Sequence, residues 1–263
     1  GFVLILSISL DGADIVLKVK NAQTKRLIIY EALNSKDRKT REAAYVALGD
    51  IGDRECISVL KDALSKEKIP ELRAMIIRAI GRIQDKRVIP ILVDAIDPSQ
   101  PIVCKEALLA LAEHKAPQAL PKVKSLFFRF DPSCTTAALR YFQRLGEHSL
   151  SYFLISNISN FDNPNYFTAI DTLVKLNHTP ETKDTVKEFL VQQVKDSQSA
   201  YVRCYILNKL LELSPEACKE FVDALFLQKD PYSKTIGLKI IAALKLSNFR
   251  SYVKQGLFDA YPG

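Results

Sequence analysis

No tryptophan occurs in the 263-residue chain, only three residues are histidine, and only nine are glycine. So little glycine disfavours a turn-rich all-β fold. There is no HExxH, no Gly-rich phosphate loop and no Gly-x-Ser-x-Gly elbow, so the common signatures of zinc peptidases, nucleotide-binding enzymes and α/β-hydrolases are missing. The cysteines are odd in number (Cys56, Cys104, Cys134, Cys204 and Cys218) and form no paired CxxC spacing. That removes a conventional zinc site and a closed disulfide framework. Each falls in an expected helix among apolar neighbours and reads as a buried free thiol acting as a small hydrophobe, which leans towards a reducing compartment.

Long apolar runs are lacking too. The nine residues Phe2 to Leu10 are nearly all apolar but too short to span a bilayer. Three readings of residues 1–20 stay open: the remnant of a signal peptide, a hairpin around Asp11-Gly12 with alternating Ile15, Leu17 and Val19, or part of an anchor. The first favours an exported or periplasmic protein over a cytoplasmic one.

What the chain has is helix-forming composition and a repeat. Hydrophobic residues make up 48% and charged ones 25%, so the chain buries a core. The net charge is +7, with acids interspersed among the Lys and Arg along the whole length. A mixed solvated face is the plainer meaning of that pattern; acidic partners are the functional one.

The segment from Pro70 to Asp85 repeats the one around Arg41 to Asp53, with Arg41 matching Arg73, Ala47 matching Ala79, Gly49 matching Gly81, Ile51 matching Ile83 and Asp53 matching Asp85. Turn markers recur at Asp97-Pro98, Asp131-Pro132, Asp162-Asn163-Pro164, Asp196-Ser197 and Asp230-Pro231. Asp accepts from free amides at a helix start and Pro suits the first helical position, so each marker is expected to open a helix. Between markers lie two amphipathic helices, in the second unit about 70–83 and 86–96. Leu72, Ile76, Ala79, Ile80 and Ile83 fall on one stripe, and Val88, Leu92, Val93 and Ile96 on another. One such pair cannot bury both stripes, so pairs must stack.

The expected fold is therefore all-α, an α-α superhelix of about seven helix pairs beginning near residues 38, 70, 100, 132, 163, 198 and 230. It forms a single solenoid domain over 21–263. A helix over Thr24 to Leu33 would cap one end, and Leu257 and Phe258 would pack inward at the other.

Units of the form Pro-x-x-Arg-x-x-Ala-x-x-Ala-Leu-Gly-x-Ile-x-Asp resemble HEAT repeats of the bacterial phycobilisome-lyase-like variety, best in residues 38–97. The resemblance implies armadillo-like architecture and leaves activity open. It also implies a structural ladder in which an Arg near the start of each first helix pairs with an acid in a turn. Here those positions are Arg41, Arg73 and Arg203, with Lys234 in the last unit, and the turn acids are Asp53 and Asp85. Cys104, Thr135 and Tyr166 replace the Arg in the middle units.

Two enzyme families with this fold fit poorly. Deoxyhypusine hydroxylases hold iron with His-Glu pairs, and this chain has only the reversed Glu113-His114 and Glu147-His148. HEAT-like alkylpurine DNA glycosylases use Trp in a basic cleft, and this chain has none. No catalytic residue, metal ligand, cofactor or small-molecule substrate is indicated, and the chain is not expected to be an enzyme. His114, His148 and His178 are expected to be exposed turn residues.

The remaining signal is aromatic. Ten of the 23 aromatic residues lie between Phe127 and Phe167. They either fill space left by small residues or form an anchor groove. The expectation is a non-catalytic scaffold that binds a protein partner on a concave face lined by the second helices, through Lys61, Asp94, Lys122, Lys124, Phe128, Arg129, Tyr152 and Lys187. Nucleic acid bound on the same face is the alternative, motivated by the positive charge.

Overall fold

A computed structural model describes residues 29–246, apart from 31, 32, 161, 162, 177 and 229. The N-terminal segment 1–20 and the pair Leu257 and Phe258 lie outside these residues. So does most of the expected helix over Thr24–Leu33, of which residues 29, 30 and 33 are helical.

Every regular element among the described residues is helical. Seven first helices start where the repeat places them, to within two residues: α1 (Arg38–Ile51), α3 (Pro70–Arg82), α5 (Pro101–Glu113), α7 (Pro132–Leu145), α9 (Asn163–Lys175), α11 (Ala200–Leu213) and α13 (Pro231–Leu244). Six second helices alternate with them: α2 (Arg54–Lys66), α4 (Val88–Asp94), α6 (Leu120–Leu126), α8 (Leu150–Asn157), α10 (Pro180–Asp196) and α12 (Val222–Leu227). The second helix expected in the seventh pair would fall outside the described residues. No described helix is long and apolar enough to cross a membrane.

The chain divides into two compact units, one ending at Leu145 and one beginning at Gly146. In the first, α1, α3, α5 and α7 stack in sequence. Helix α2 packs on α1 and α3, and α4 packs on α3 and α5. The stripe read from the sequence is the core: Leu72, Ile76, Ala79, Ile80 and Ile83 are buried, as are Val88, Leu92 and Ile96, while Val93 is half-buried. In the second unit α9, α11 and α13 stack, α10 packs on α11, and α12 packs on α13. Helix α10 is the long second helix, with 17 residues against seven in α4 and in α6.

Close stacking needs small residues. A β-carbon on Gly49 would stand 3.0 Å from the backbone of Ala79, and one on Gly81 would stand 2.5 Å from the Ala110 methyl. The Gly of the repeat pattern thus lets α1 approach α3 and α3 approach α5.

The helix starts follow local chemistry, with two corrections. Asp37, Asp53, Asp131 and Asp230 accept from amides at the starts of α1, α2, α7 and α13. Asp97 does not open α5. It accepts from the Ser99 amide at 2.9 Å in a turn, and α5 begins at Pro101 without a side-chain cap. Asp196 is the last residue of α10, and Ser199 caps α11 instead. Both differences arise because Asp closes a short turn as readily as it opens a helix.

The ends of four first helices are followed by a left-handed residue: Gly52, Lys115, Gly146 and Lys245, with φ of 65°, 47°, 70° and 50°. After α5 the Ala116 amide donates to the Leu111 carbonyl at 3.2 Å, and after α13 Leu246 donates to Ile241 at 3.1 Å. These are the bonds that tie off a helix through a left-handed residue.

All five cysteines are buried and free. Four lie in α-helices; Cys218 lies in the 3-10 segment Pro215–Phe221. Much of the aromatic cluster is packing. Phe127, Tyr141 and Phe142 are fully buried, with the rings of Phe127 and Phe142 stacked at 5.5 Å. The Tyr141 hydroxyl donates to the Ala116 carbonyl at 2.6 Å. Phe128 and Tyr152 remain exposed, at 51% and 43%.

Candidate functional site

The Arg ladder works differently from the pattern the resemblance implied. Arg41 donates to the Ser35 carbonyl at 2.9 Å and pairs with Glu67 at 3.2 Å. Arg73 donates to the carbonyls of Leu64 at 2.6 Å and Glu67 at 3.0 Å, and to the Gln100 side chain at 3.3 Å. Arg203 donates to the Ser197 carbonyl at 2.9 Å, just beyond α10. Each guanidinium thus reaches carbonyls immediately before its own helix. For Arg73 and Arg203 these close the preceding second helix, where a cation is favoured. Asp53 caps α2, and Asp85 holds the Arg87 amide and guanidinium. Lys234 sits half-buried in α13.

Glu67 is the hub of the first rung. Its carboxylate accepts from Arg41, from the Tyr45 hydroxyl at 3.1 Å, and from the amides of Lys68 and Ile69. Burial works against the charge, but the Ile69 amide, the Tyr45 hydroxyl and Arg41 outweigh it and hold the pKa below its ordinary value. Burial, with the Glu67 bond, pushes Tyr45 up to about 12.

Where Cys104 replaces the Arg, the end of α4 is closed from α6. The Lys122 ammonium donates to the Val93 carbonyl at 2.8 Å and to the Asp94 carbonyl at 3.4 Å. In the fifth unit the Tyr166 hydroxyl reaches Gln193 at 3.1 Å, much as Arg73 reaches Gln100.

Of the residues picked as partner contacts, the structure gathers three. Lys61 and Asp94 line one groove of about 370 Å³ between α2 and α4, with Arg73 and Gln100 on its wall. Lys122 lies against the backbone of Asp94. Lys124 is on the same short helix, and the exposed pair Phe128 and Arg129 forms the 3-10 turn just after it. Tyr152, on α8, and Lys187, paired with Asp184 at 2.6 Å, belong to the second unit.

On the first helices the charges are paired across the stack: Arg82 with Asp50 at 2.9 Å, Arg78 with Glu106 at 2.8 Å, and Arg140 and Arg144 with Glu113 at 3.3 and 3.2 Å. Four arginines there are thus partly offset by three carboxylates, with Glu113 shared by two of them. Sequence reading missed this ladder; the signal is opposite charge about one repeat apart.

The histidines differ from the exposed residues expected. His148 is exposed, but His114 and His178 are half-buried. Their Nε2 atoms lie 2.8 Å from the Gly81 carbonyl and 2.6 Å from the Leu173 carbonyl, so each carries its proton there and donates. A turn histidine in a stack sits over the carbonyls of a helix end, which supplies the bond and the cover. Burial lowers the pKa of His178. Among the described residues no three His, Cys, Asp or Glu side chains cluster as metal ligands.

A family model described as HEAT repeats matches residues 26–112 and, in an overlapping placement, 59–143. The matched residues are HEAT repeats. Among solved structures, a complex of CpcE and CpcF of phycocyanin lyase from Nostoc sp. PCC7120 contains a chain with 16% identity and a TM-score of 0.50, covering 92% of this chain and 96% of that one. Human deoxyhypusine hydroxylase in complex with glycerol gives 17% identity and a TM-score of 0.40, with 85% and 96% covered. At 16% identity the likeness to the CpcE–CpcF chain is one of fold alone. No curated protein matches.

Proposed function

We propose that this protein is a non-catalytic scaffold that holds a protein partner on the second helices of its first unit. The observation that carries the reading is the groove between α2 and α4, which Lys61 and Asp94 both line, neither with an ion pair to any described residue. By contrast, Arg78, Arg82, Arg140 and Arg144 on the first helices are paired with acids. The exposed Phe128 and Arg129 lie after the next second helix and add an aromatic anchor of the kind that dominates interfaces. The similar fold in a CpcE–CpcF complex supports a protein partner. Paired charge on the other side weighs against nucleic acid, which needs many unmatched cations.

Affinity capture of interacting proteins tests this, comparing the wild type with a Lys61→Glu/Phe128→Ser variant. A protein retained by the wild type and lost by the variant is expected. Recovery of nothing, or equal recovery by both, would count against the scaffold. Lys122 is unsuitable for this test, because its ammonium closes α4.

A further inference from the structure

On the other side of α4 from the Lys61 groove lies a second groove of about 620 Å³, between α4 and the turn 114–118. Its floor is apolar, from Ile89, Pro90, Val93 and Ala116. Its rim carries the exposed ammonium groups of Lys86 and Lys115, and no described residue forms an ion pair with either. The acid on this rim is Asp94, at the end of α4 shared with the first groove. Where Arg78 and Arg82 of α3 are paired with carboxylates, these lysines are positive charge left available.

Lys115 carries a second, independent observation. It holds the left-handed conformation that Gly52 and Gly146 hold after α1 and α7, and that Lys245 holds after α13. A side chain there is disfavoured, and glycine is the usual occupant. Strained positions that persist are often functional ones. Here the strain places an ammonium on the rim where glycine would place nothing.

We propose that the groove beside α4 binds an acidic segment of a protein partner, its carboxylates on Lys86 and Lys115 and an apolar side chain over Ile89 and Val93. Charge complementarity selects the segment, and the apolar floor separates it from a bare polyanion. The inference deepens the scaffold reading and rests on it, naming the class of partner sequence and a second groove.

Fluorescence anisotropy on the full chain tests it with three probes: a labelled peptide of Glu and Asp around a central leucine, the same peptide with every acid replaced by its amide, and a single-stranded oligothymidylate of equal charge. Saturable binding of the acidic peptide is expected, weakened about tenfold or more in Lys86→Ala/Lys115→Gly, and weakened by salt. Lys115→Gly relieves a strained residue, so it is expected to melt no lower than the wild type; lost binding there cannot be blamed on unfolding. Equal binding of the amide peptide, equal binding of the oligonucleotide, or no binding of the acidic peptide would each overturn the proposal. If the acidic peptide fails while partner capture still depends on Lys61 and Phe128, this inference alone falls; if capture fails as well, the scaffold reading falls with it.

Discussion

Gly81 of α3 sits so close to Ala110 of α5 that any β-carbon at Gly81 would collide with the alanine methyl, at 2.5 Å. The neighbour is not the far end of a flexible side chain. Two helix backbones must separate to relieve the contact. Gly81→Ala is therefore expected to lower stability by about 1–3 kcal/mol, despite alanine's better helix propensity. Thermal unfolding measures it, and an unchanged or raised melting temperature would show that the stack is looser than described.

The rungs of the Arg ladder and the pairs on the first helices should differ in weight. Arg41 and Glu67 have side chains exposed by 17% and 8%, whereas Arg82 and Asp50 are about half exposed. Removing one partner of a shielded pair leaves the other's hydrogen bonds unmade, at about 1–3 kcal/mol. An exposed pair contributes about 0–1 kcal/mol. Arg41→Met is thus expected to destabilise clearly more than Arg82→Met in urea titrations.

Glu67 should also shape the acid limb of stability. Its folded pKa lies below the ordinary value of 4.5, so its contribution is complete above that pH and is lost as pH falls through the folded value. Glu67→Gln is expected to be less stable at neutral pH and to lose less further stability between about pH 5 and 3. A parallel acid limb in both proteins would contradict the hub.

His178 acts at higher pH. Its folded pKa lies below the ordinary 6.5, so the unfolded chain takes up the proton first and stability declines as pH falls through that value. His178→Gln is expected to flatten the slope between about pH 7 and 5, whatever it does to stability at neutrality. The slope of unfolding free energy against pH is the readout.

The thiols give a check on the core. Burial pushes Cys218 up to about 12 and raises Cys204. A chromogenic disulfide reagent at neutral pH is expected to react with the five cysteines only as fast as the chain opens, and rapidly in denaturant. Fast reaction of the native protein would mean that the helices holding them part readily.

Helix starts were legible wherever they are written locally. Asp131-Pro132 and Asp230-Pro231 couple a side-chain acceptor to a residue that needs no amide partner, and helices begin there. Asp97 and Asp196 share the letter but not the setting, since one closes a turn and the other ends a helix. The partner of Arg73 was hidden for another reason: it is a pair of carbonyls at the end of the previous helix, and backbone carbonyls leave no mark in a sequence. Lys122 was read as a binding residue because its role depends on α4 ending beside it. Of the candidate surface, Lys61 and Asp94 could be chosen from their place on second helices, and both line one groove. Lys86 and Lys115 were not, because a lysine in a left-handed turn looks like any solvated lysine until the backbone is seen.

The length of α10 limits how freely the repeats can be exchanged. The pairs ending in α4 and α6 have second helices of equal length, so one could be grafted into the place of the other as a cassette with its neighbours kept in step. A cassette carrying α10 would bring roughly ten more residues of helix, about 15 Å at 1.5 Å per residue. Chimeras built by fixed-length cuts should therefore fold when they exchange the pairs ending in α4 and α6 and fail when the cut passes through α10.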